Sequence, residues 1–416
     1  MRKLAALASL LIGDIDKHRK RMFLTVSAIA WGTLSILLLL SFGEGLKQQM
    51  GKSSKGLGIN IVILFGGQTS KIYQGLPKGR RIRFTPEDAM LLKERIPEIL
   101  KVSPEFDVYG ATFTYKNKTL TERFTGAGPA FEDMRTHYPD WGGRFINQSD
   151  VENRRRVIFL GTELKERLFG EEPAIGKIIS INNIPFTVIG VMIEKLQMSM
   201  YGGPDSNKGS IPFTTFQSLF GRRYVNRIIY QVENADIAPY VERQVWRVFG
   251  SKYKFDQEDS EAIWVWDVVQ QNKVGETIMV GIQIFLGLIG TLTLLIASVG
   301  VANTMYVAVK ERTREIGVKR ALGARKVHIK VQFIMEAGLV SILGGIIGTV
   351  LAMIIIQILQ GIPIEDGPLQ FLGKPTFSVP IAVTTASILS LISLLAGYFP
   401  ARKAAKISPV EALRYE

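Results

Sequence analysis

Four long stretches of this chain carry no charged residue. They cover residues 22–42, 277–309, 337–364 and 375–401, and contain 21, 33, 28 and 27 residues. A helix rises about 1.5 Å per residue, so about 20 residues cross a hydrocarbon core about 30 Å thick. A buried helix of a soluble protein seldom exceeds about 14 residues without a charge. The pattern therefore predicts four transmembrane helices rather than a soluble protein with four very apolar helices.

The first stretch also has one property of a signal peptide, because it follows the basic residues 17–21. Its 21 residues exceed the usual apolar region of such a peptide, and no clear small-x-small cleavage site follows. We interpret it as a retained signal-anchor helix.

The basic residues predict the topology. Six Lys or Arg lie in residues 1–21, eight in 310–330 and four in 402–416, against Lys374 alone in 361–377. The positive-inside rule places the first three segments, and so both termini, in the cytoplasm and the fourth outside. The long segment between the first two helices is then extracytoplasmic.

Whole-chain averages hide this pattern. The 416 residues are 47% hydrophobic with a net charge of +14, and most of the excess charge lies beside the predicted helices. A juxtamembrane location explains that charge better than nucleic-acid binding does. The chain has no cysteine, which excludes disulfides, Cys-ligated metal centres and a thiol nucleophile. None of its three histidines begins an HExxH motif, so we expect no metal site.

The segment between the first two helices reads as a mixed α/β domain. The predicted elements are a strand over 59–65, a helix from Thr85 that stops before Pro97, a strand over 156–160, a helix over 162–169 closed by Gly170, a hairpin of 178–181 and 186–191 around Asn182-Asn183, a helix over 237–249, and a stalk over 261–273 that continues into the second membrane helix.

No catalytic constellation is evident in this domain. We expect Trp264 and Trp266 to be interfacial anchors, core residues or ligand contacts. Met192, Met198 and Met200 could line an adaptable apolar surface, but ordinary packing explains them better. Residues 201–205, Tyr-Gly-Gly-Pro-Asp, read as a mobile loop.

A phosphate-binding loop is absent from the sequence. Gly51-Lys52-Ser53 invites that reading, but five residues separate Gly51 from Gly45, whereas the motif requires four and a preceding strand. Gly176-Lys177 fails because Ile178 follows it. We therefore expect that this chain binds no nucleotide.

The charged segment 310–324 has helical spacing, with Ile316, Lys319 and Arg320 near one face and Gly323 placed to close the helix. Composition alone favours a solvated basic juxtamembrane helix. The exact order of the residues, however, resembles a known family in several stretches. ERTREIGVKRALGA (311–324) with EAGLVSILGGIIG (336–348), and the ending PARKAAKISPVEALRYE (400–416), closely resemble MacB/FtsX-type ABC transporter permeases. VIFLGTELKERLFGEEPAIGKIISINNIPFTVIGVM (157–192) resembles the MacB-type extracytoplasmic domain.

This resemblance covers essentially the whole chain. It implies an α-helical membrane protein with four transmembrane helices and a large mixed α/β extracytoplasmic domain inserted between helices 1 and 2. The implied divisions are a cytoplasmic basic segment 1–21, helix 1 with stalk 22–50, the MacB-like domain 51–275, stalk and helix 2 276–309, a coupling-helix loop 310–330, helix 3 331–361, an external loop 362–377, helix 4 378–401 and a cytoplasmic tail 402–416.

The resemblance also implies a role. Such permeases are non-catalytic dimers, either homodimers or pseudo-symmetric heterodimers, in the bacterial inner membrane among its lipids. Each half docks on an ABC ATP-binding subunit that holds ATP and Mg²⁺, and a periplasmic adaptor can join. The short helix between membrane helices 2 and 3 couples to the ATPase, and that role is carried to Glu311, Arg312, Arg314, Glu315, Gly317, Lys319, Arg320, Leu322 and Gly323.

In this family ATP-driven movement passes to the outer domains without a substrate channel, which is termed mechanotransmission. The absence of charged residues, which would mark a polar path through the membrane, from all four stretches agrees with that. Gly344 and Gly348 form a small-xxx-small pair that permits close helix packing, although a lipid-facing pair is an equal alternative.

Three functions remain open. Efflux of drugs, peptides or lipophilic molecules is the leading hypothesis, with lipoprotein release as the second and an FtsX-like regulator or a membrane sensor as the third. MacB exporters carry a fused N-terminal ATPase that this sequence does not show, so we expect a separate ATPase subunit. A sensor would need no ATPase-docking helix, so the 310–324 segment disfavours that alternative.

Overall fold

The computed structural model describes residues 19–197, 201–362, 372–409 and 412. The chain divides into two compact units, a helical unit of Met1–Gln49 and Thr277–Glu416 and an α/β domain of Met50–Glu276. Met198, Met200, most of the predicted basic segment 1–21, most of the predicted external loop 362–377 and part of the tail 402–416 lie outside the described residues.

The elements are numbered in chain order. The helices are α1 (Arg19–Leu57), α2 (Pro86–Arg95), α3 (Phe131–Met134), α4 (Gln148–Glu152), α5 (Thr162–Phe169), α6 (Phe213–Phe220), α7 (Ala238–Tyr253), α8 (Val268–Glu311), α9 (Thr313–Ala321), α10 (Lys326–Gly361) and α11 (Val379–Ala404). The strands are β1 (Ile61–Gly66), β2 (Ile99–Tyr115), β3 (Lys118–Ala127), β4 (Val157–Leu160), β5 (Ile178–Ile181), β6 (Ile184–Val191), β7 (Lys208–Pro212), β8 (Arg227–Val232) and β9 (Ile263–Asp267).

Four helices in the described part of the chain are long and apolar enough to cross a membrane, namely α1, α8, α10 and α11. The prediction of four spans around a mixed α/β domain is thus confirmed. Glycine residues lie where these helices contact one another. A Cβ on Gly290 of α8 would lie 2.6 Å from Ile36 of α1, and a Cβ on Gly397 of α11 would lie 2.8 Å from Ala337 of α10. These helices approach one another more closely than any larger residue would allow at those points.

The two glycines singled out on α10 face α1. A Cβ on Gly344 would lie 2.7 Å from Cβ of Ile29, and a Cβ on Gly348 would lie 2.5 Å from the carbonyl oxygen of Ala30. Both glycines are buried. In this structure they therefore belong to a helix–helix contact and do not face the lipid.

The α/β domain is built on one sheet with the strand order β3-β7-β4-β6-β5-β2-β8-β1-β9. The long strand β2 also pairs with β3, so the first six of these strands form a closed ring, and β8, β1 and β9 extend from the other half of β2. Successive residues point to opposite faces. Val62 and Leu64 of β1 enter one hydrophobic core, and Ile61 and Ile63 enter the second. β1 is therefore buried on both faces of the sheet.

Several local predictions for this domain are confirmed. The backbone N–H of Thr85 donates to the Asp88 carboxylate at 2.6 Å, which caps α2, and α2 ends before Pro97. Gly170, with φ of 60°, ends α5. Asn182 and Asn183 both have positive φ, 49° and 67°, as the two-residue turn of the β5–β6 hairpin requires.

The predicted stalk over residues 261–273 is wrong in its first part. Ile263–Asp267 forms strand β9, paired antiparallel with β1, and helix begins only at Val268. The run Ile-Trp-Val-Trp consists of β-branched and aromatic residues, which favour a strand. Trp264 lies on this edge strand, 58% exposed, with its ring 4.6 Å from that of Phe65. Trp266 packs against the second core.

Candidate functional site

The charged segment between α8 and α10 folds as the helix α9, which has a defined end. The Gly323 N–H donates to the carbonyl of Arg320 at 3.1 Å, and the Ala324 N–H donates to that of Lys319 at 3.0 Å. With Gly323 at φ of +95°, this pair of bonds is a Schellman motif. The prediction that Gly323 closes the helix is confirmed. Gly323 turns the chain away from the helix axis at this point.

One face of α9, the inner face, consists of Ile316, Gly317 and Arg320. Ile316 is 3% exposed, and a Cβ on Gly317 would lie 2.4 Å from Cβ of Ala412. The Arg320 Nη1 donates to the carbonyl oxygens of Ala405 at 3.2 Å and Ile407 at 2.9 Å. The inner face is therefore packed on the segment that follows α11.

The other face, the outer face, consists of Arg314, Glu315, Val318, Lys319 and Leu322, all exposed. Their spacing of one, three and four residues places them on one side of a helix. Leu322 is 84% exposed and Val318 is 42% exposed. A short helix thus presents two apolar side chains among charged ones.

The start of α9 is tied to other helices of the unit. Arg21 Nη1 of α1 lies 3.1 Å from the Glu311 carboxylate at the end of α8, and Arg312 Nη1 lies 3.3 Å from Glu336 of α10. The last turn of α9 also contacts α10, because the Lys319 ammonium lies 3.4 Å from Gln332 Oε1.

The structure therefore separates the nine predicted coupling residues. Arg314, Glu315, Lys319 and Leu322 form the outer face. Gly317 and Arg320 pack inward, Glu311 and Arg312 form ion pairs with other helices, and Gly323 turns the chain. Helix formation over 313–321 places Lys319 beside Ile316 and Arg320, as the spacing predicts, but Lys319 is exposed beside α10 whereas Ile316 is buried. Val318 was not predicted, although its spacing of four residues from both Arg314 and Leu322 places it on the same side of the helix as they are.

The α/β domain contains a second concentration of charge, the buried ion cluster. Its members are Glu105, Asp107, Arg123, Arg135, His137, Lys195, Tyr201, Asp205, Lys208 and Arg227. Residues on β2, β3, β7 and β8 alternate between the faces of the sheet, and the cluster occupies the face of the second core.

Asp205 is the first centre of the cluster. Its carboxylate lies 2.9 Å from Arg135 Nη2, 2.7 Å from the Lys195 ammonium and 2.7 Å from the Lys208 ammonium. Burial alone would raise the pKa of Asp205, but these cations hold it well below its usual value. Burial lowers the pKa of Lys195 and of Lys208 to about 8.

Asp107 and Glu105 on β2 form the second centre. Asp107 accepts from Arg123 Nε and from Arg227 Nη2, each at 2.6 Å. The Tyr201 hydroxyl donates to Glu105 at 2.8 Å, and the Tyr201 ring lies 4.3 Å from the guanidinium carbon of Arg227. Every carboxylate here has a cationic partner, as burial of charge requires.

The cluster corrects the prediction of a mobile loop over residues 201–205. Tyr201 and Asp205 are 9% and 1% exposed, and both are anchored by the bonds described above. No group of metal-ligating side chains suited to a metal ion occurs within the described ranges.

Comparison with known proteins finds two family matches along the chain. Residues 22–248 match the MacB-like periplasmic core domain, and residues 287–409 match the FtsX-like permease C-terminal region. The macrolide export ATP-binding/permease protein MacB of Bdellovibrio bacteriovorus is 31% identical over 96% of this chain, and that of Chlorobaculum tepidum is 31% identical over 97%. The chain spans about 60% of the length of each relative.

Among solved structures, the periplasmic region of MacB from Actinobacillus actinomycetemcomitans is 21% identical, with a TM-score of 0.43 over 56% of this chain and 98% of that one. The family matches themselves cover most of the α/β domain and most of the helical unit. The chain therefore belongs to the MacB/FtsX-type family of ABC transporter permeases.

Proposed function

We propose that this chain is the permease subunit of an ABC transporter and that the outer face of α9 docks on a separate ATP-binding subunit. The observation that carries the proposal is the division of α9 into two faces. The inner face packs against the rest of the helical unit, while Leu322 on the outer face is 84% exposed. Contacts at both ends of α9 hold the helix in place. An apolar side chain ringed by charged ones is typical of a protein contact.

In this proposal the partner holds ATP and Mg²⁺, and the chain itself is not an enzyme. Hydrolysis moves α9, the spans carry the movement to the α/β domain, and that domain acts on drugs, peptides or lipophilic compounds. The macrolide export proteins among its relatives support efflux over lipoprotein release. The chain would lie in a bacterial inner membrane with both termini cytoplasmic, as its basic segments favour, and would work as a dimer, with a periplasmic adaptor as a further partner.

Co-purification tests the docking role. The chain is co-expressed with an ATP-binding subunit encoded beside it, and the subunit ratio and the ATP hydrolysis rate of the purified complex are measured. We expect the wild-type chain to retain the subunit and Leu322→Glu to weaken retention by about tenfold or more, since a charge would have to be buried in the contact. Gly317→Pro should also abolish coupling by breaking α9, but it disturbs the inner face as well.

Leu372→Glu is the matched control, because Leu372 is also exposed, at 55%, but follows the opposite end of α10. It should retain the ATP-binding subunit as the wild-type chain does. If Leu322→Glu retained the subunit fully, or if the wild-type chain bound none, the proposal would fail.

A further inference from the structure

We propose that Arg320 is a positioning residue that fastens α9 to the end of α11, so that the ATP-driven displacement of α9 reaches the last membrane helix directly. The inference rests on the proposed docking of an ATP-binding subunit to α9. It assigns Arg320 a role inside this chain, whereas its sequence context suggested a contact with the ATPase.

Chain connectivity explains why such a fastening is needed. α9 follows α8 after Arg312 and is joined to α10 by a short connection at residues 322–325. Any displacement of α9 therefore reaches α8 and α10 through covalent bonds. α11 begins only at Val379, so its covalent connection to α9 runs through the whole of α10 and the segment after it. A direct route from α9 to α11 must therefore be non-covalent.

Arg320 supplies the polar part of that contact. α11 ends at Ala404, and the last carbonyl groups of a helix have no partner within the helix. The Arg320 guanidinium donates to two carbonyls just beyond this end, those of Ala405 and Ile407, at 3.2 and 2.9 Å. A cation there also interacts favourably with the negative end of the α11 dipole. Arg320 thus acts as a capping residue supplied by another helix.

The rest of the inner face supplies the apolar part. Ile316 belongs to one core with Ala401 and Ala404, both fully buried, and Ile407 packs against the same core. Gly317 lets Ala412 approach so closely that a methyl group on the glycine would overlap it. Small residues on both sides let the inner face of α9 pack closely against the end of α11 and the tail after it. Closely packed contacts of this kind shift as rigid units rather than deform gradually.

The absence of cysteine from the chain allows a clean distance measurement. Spin labels are attached to Arg325→Cys, in the connection after α9, and Arg402→Cys, on the last turn of α11, both exposed positions off the outer face. The complex with the ATP-binding subunit is measured by pulsed electron resonance with ADP and after trapping with ATP and vanadate. Labelled chains are diluted with unlabelled ones so that only distances within one chain contribute.

We expect the same single distance in both nucleotide states, because the two labels report one rigid body. In Arg320→Ala we expect a second distance to appear on trapping, while the ATP-binding subunit is retained at the wild-type ratio. Arg320→Lys should restore the single distance at least in part, since an ammonium can still bind one of the carbonyls. Leu322→Glu should show the reverse, with loss of the subunit and no change of the distance.

A second variant approaches the same contact from the other side. Ala412→Leu would push the tail off Gly317 and should also produce a second distance on trapping, without any change to the outer face. The inference is overturned if the wild-type distance changes with nucleotide, or if Arg320→Ala keeps the wild-type distance in both states. Loss of the ATP-binding subunit from the labelled wild-type chain would instead overturn the proposed docking itself, and the inference with it.

Discussion

The two units of this protein place their charges in opposite ways. The α/β domain buries a cluster that includes three carboxylates and five Lys or Arg side chains within its packing. In the described part of the helical unit, the spans pack through glycine, alanine and aliphatic side chains, and the ion pairs Arg21–Glu311 and Arg312–Glu336 lie outside the uncharged stretches. Charges buried in the domain fix one loop in one position. The described spans pack without such charges, and a polar contact between them is made by neutral groups, as where the Thr25 hydroxyl of α1 lies 2.9 Å from that of Thr304 of α8.

Removal of the central carboxylate of the cluster should have the largest effect. Asp205→Asn would leave Arg135, Lys195 and Lys208 buried with too little negative charge, so we expect a loss of about 3–5 kcal/mol in the free energy of unfolding of the α/β domain. Denaturant unfolding of the purified chain, followed by circular dichroism, measures this. Asp236→Asn is the control, because Asp236 forms an exposed ion pair with Lys273, and it should leave the midpoint unchanged. Equal midpoints for the two variants would mean that the cluster contributes little to stability.

A bulkier residue at a glycine contact should disturb the helical unit next most. Gly348→Val would place atoms against the Ala30 carbonyl and Thr33, and overpacking of this kind costs about 1–3 kcal/mol. A Cβ on Gly338 of the same helix would meet no atom within 4 Å, so Gly338→Val should be tolerated. Thermal stability in detergent distinguishes them, and a similar loss in both would show that α10 does not pack on α1 through Gly348.

The cluster should also make the α/β domain sensitive to acid. Burial, with help from Lys195 and Lys208, lowers the pKa of His137 well below 6.5, so the unfolded chain binds a proton below about pH 6.5 that the folded chain does not. Stability should therefore fall as pH drops below that value, by up to about 1.4 kcal/mol per pH unit. His137→Gln should flatten this slope, whereas exposed His328→Gln should retain it. A slope unchanged in His137→Gln would assign the acid sensitivity to other groups.

A change of charge on the outer face should have the smallest effect. Lys319→Glu is expected to weaken retention of the ATP-binding subunit by only about two- to fivefold, because exposed ion pairs contribute about 1 kcal/mol or less. The difference should shrink at high salt. Lys319→Arg keeps the charge and should bind as the wild-type chain does. A loss as large as that of Leu322→Glu, independent of salt, would show that Lys319 is buried in the contact.

Features that depend on local sequence were predictable. The four spans follow from uninterrupted apolar runs, the β5–β6 hairpin from Asn182-Asn183, and the end of α9 from Gly323. Strand β9 was missed because Ile263–Asp267 is short and directly precedes a long helix, so that the helical pattern was extended over it. Its pairing with β1, about 200 residues earlier in the chain, leaves no local mark.

The buried ion cluster was not predictable for a similar reason. Its members are spread from Glu105 to Arg227, and each one alone resembles an ordinary surface charge. Only the topology of the sheet brings the cluster residues of β2, β3, β7 and β8 together on one of its faces. In α9 the helix itself was foreseen, but its inner face depends on contacts with residues after α11, which only the folded bundle reveals.

The pairing of β1 with β9 has a mechanical consequence. β1 follows α1, β9 precedes α8, and Val62 near the start of β1 lies opposite Asp267 at the end of β9. Both connections between the α/β domain and the helical unit therefore leave the sheet side by side, at one end of one pair of strands. If α1 and α8 were drawn apart, the pull would act across the β1–β9 pair from one end, so the ladder would separate one residue pair at a time.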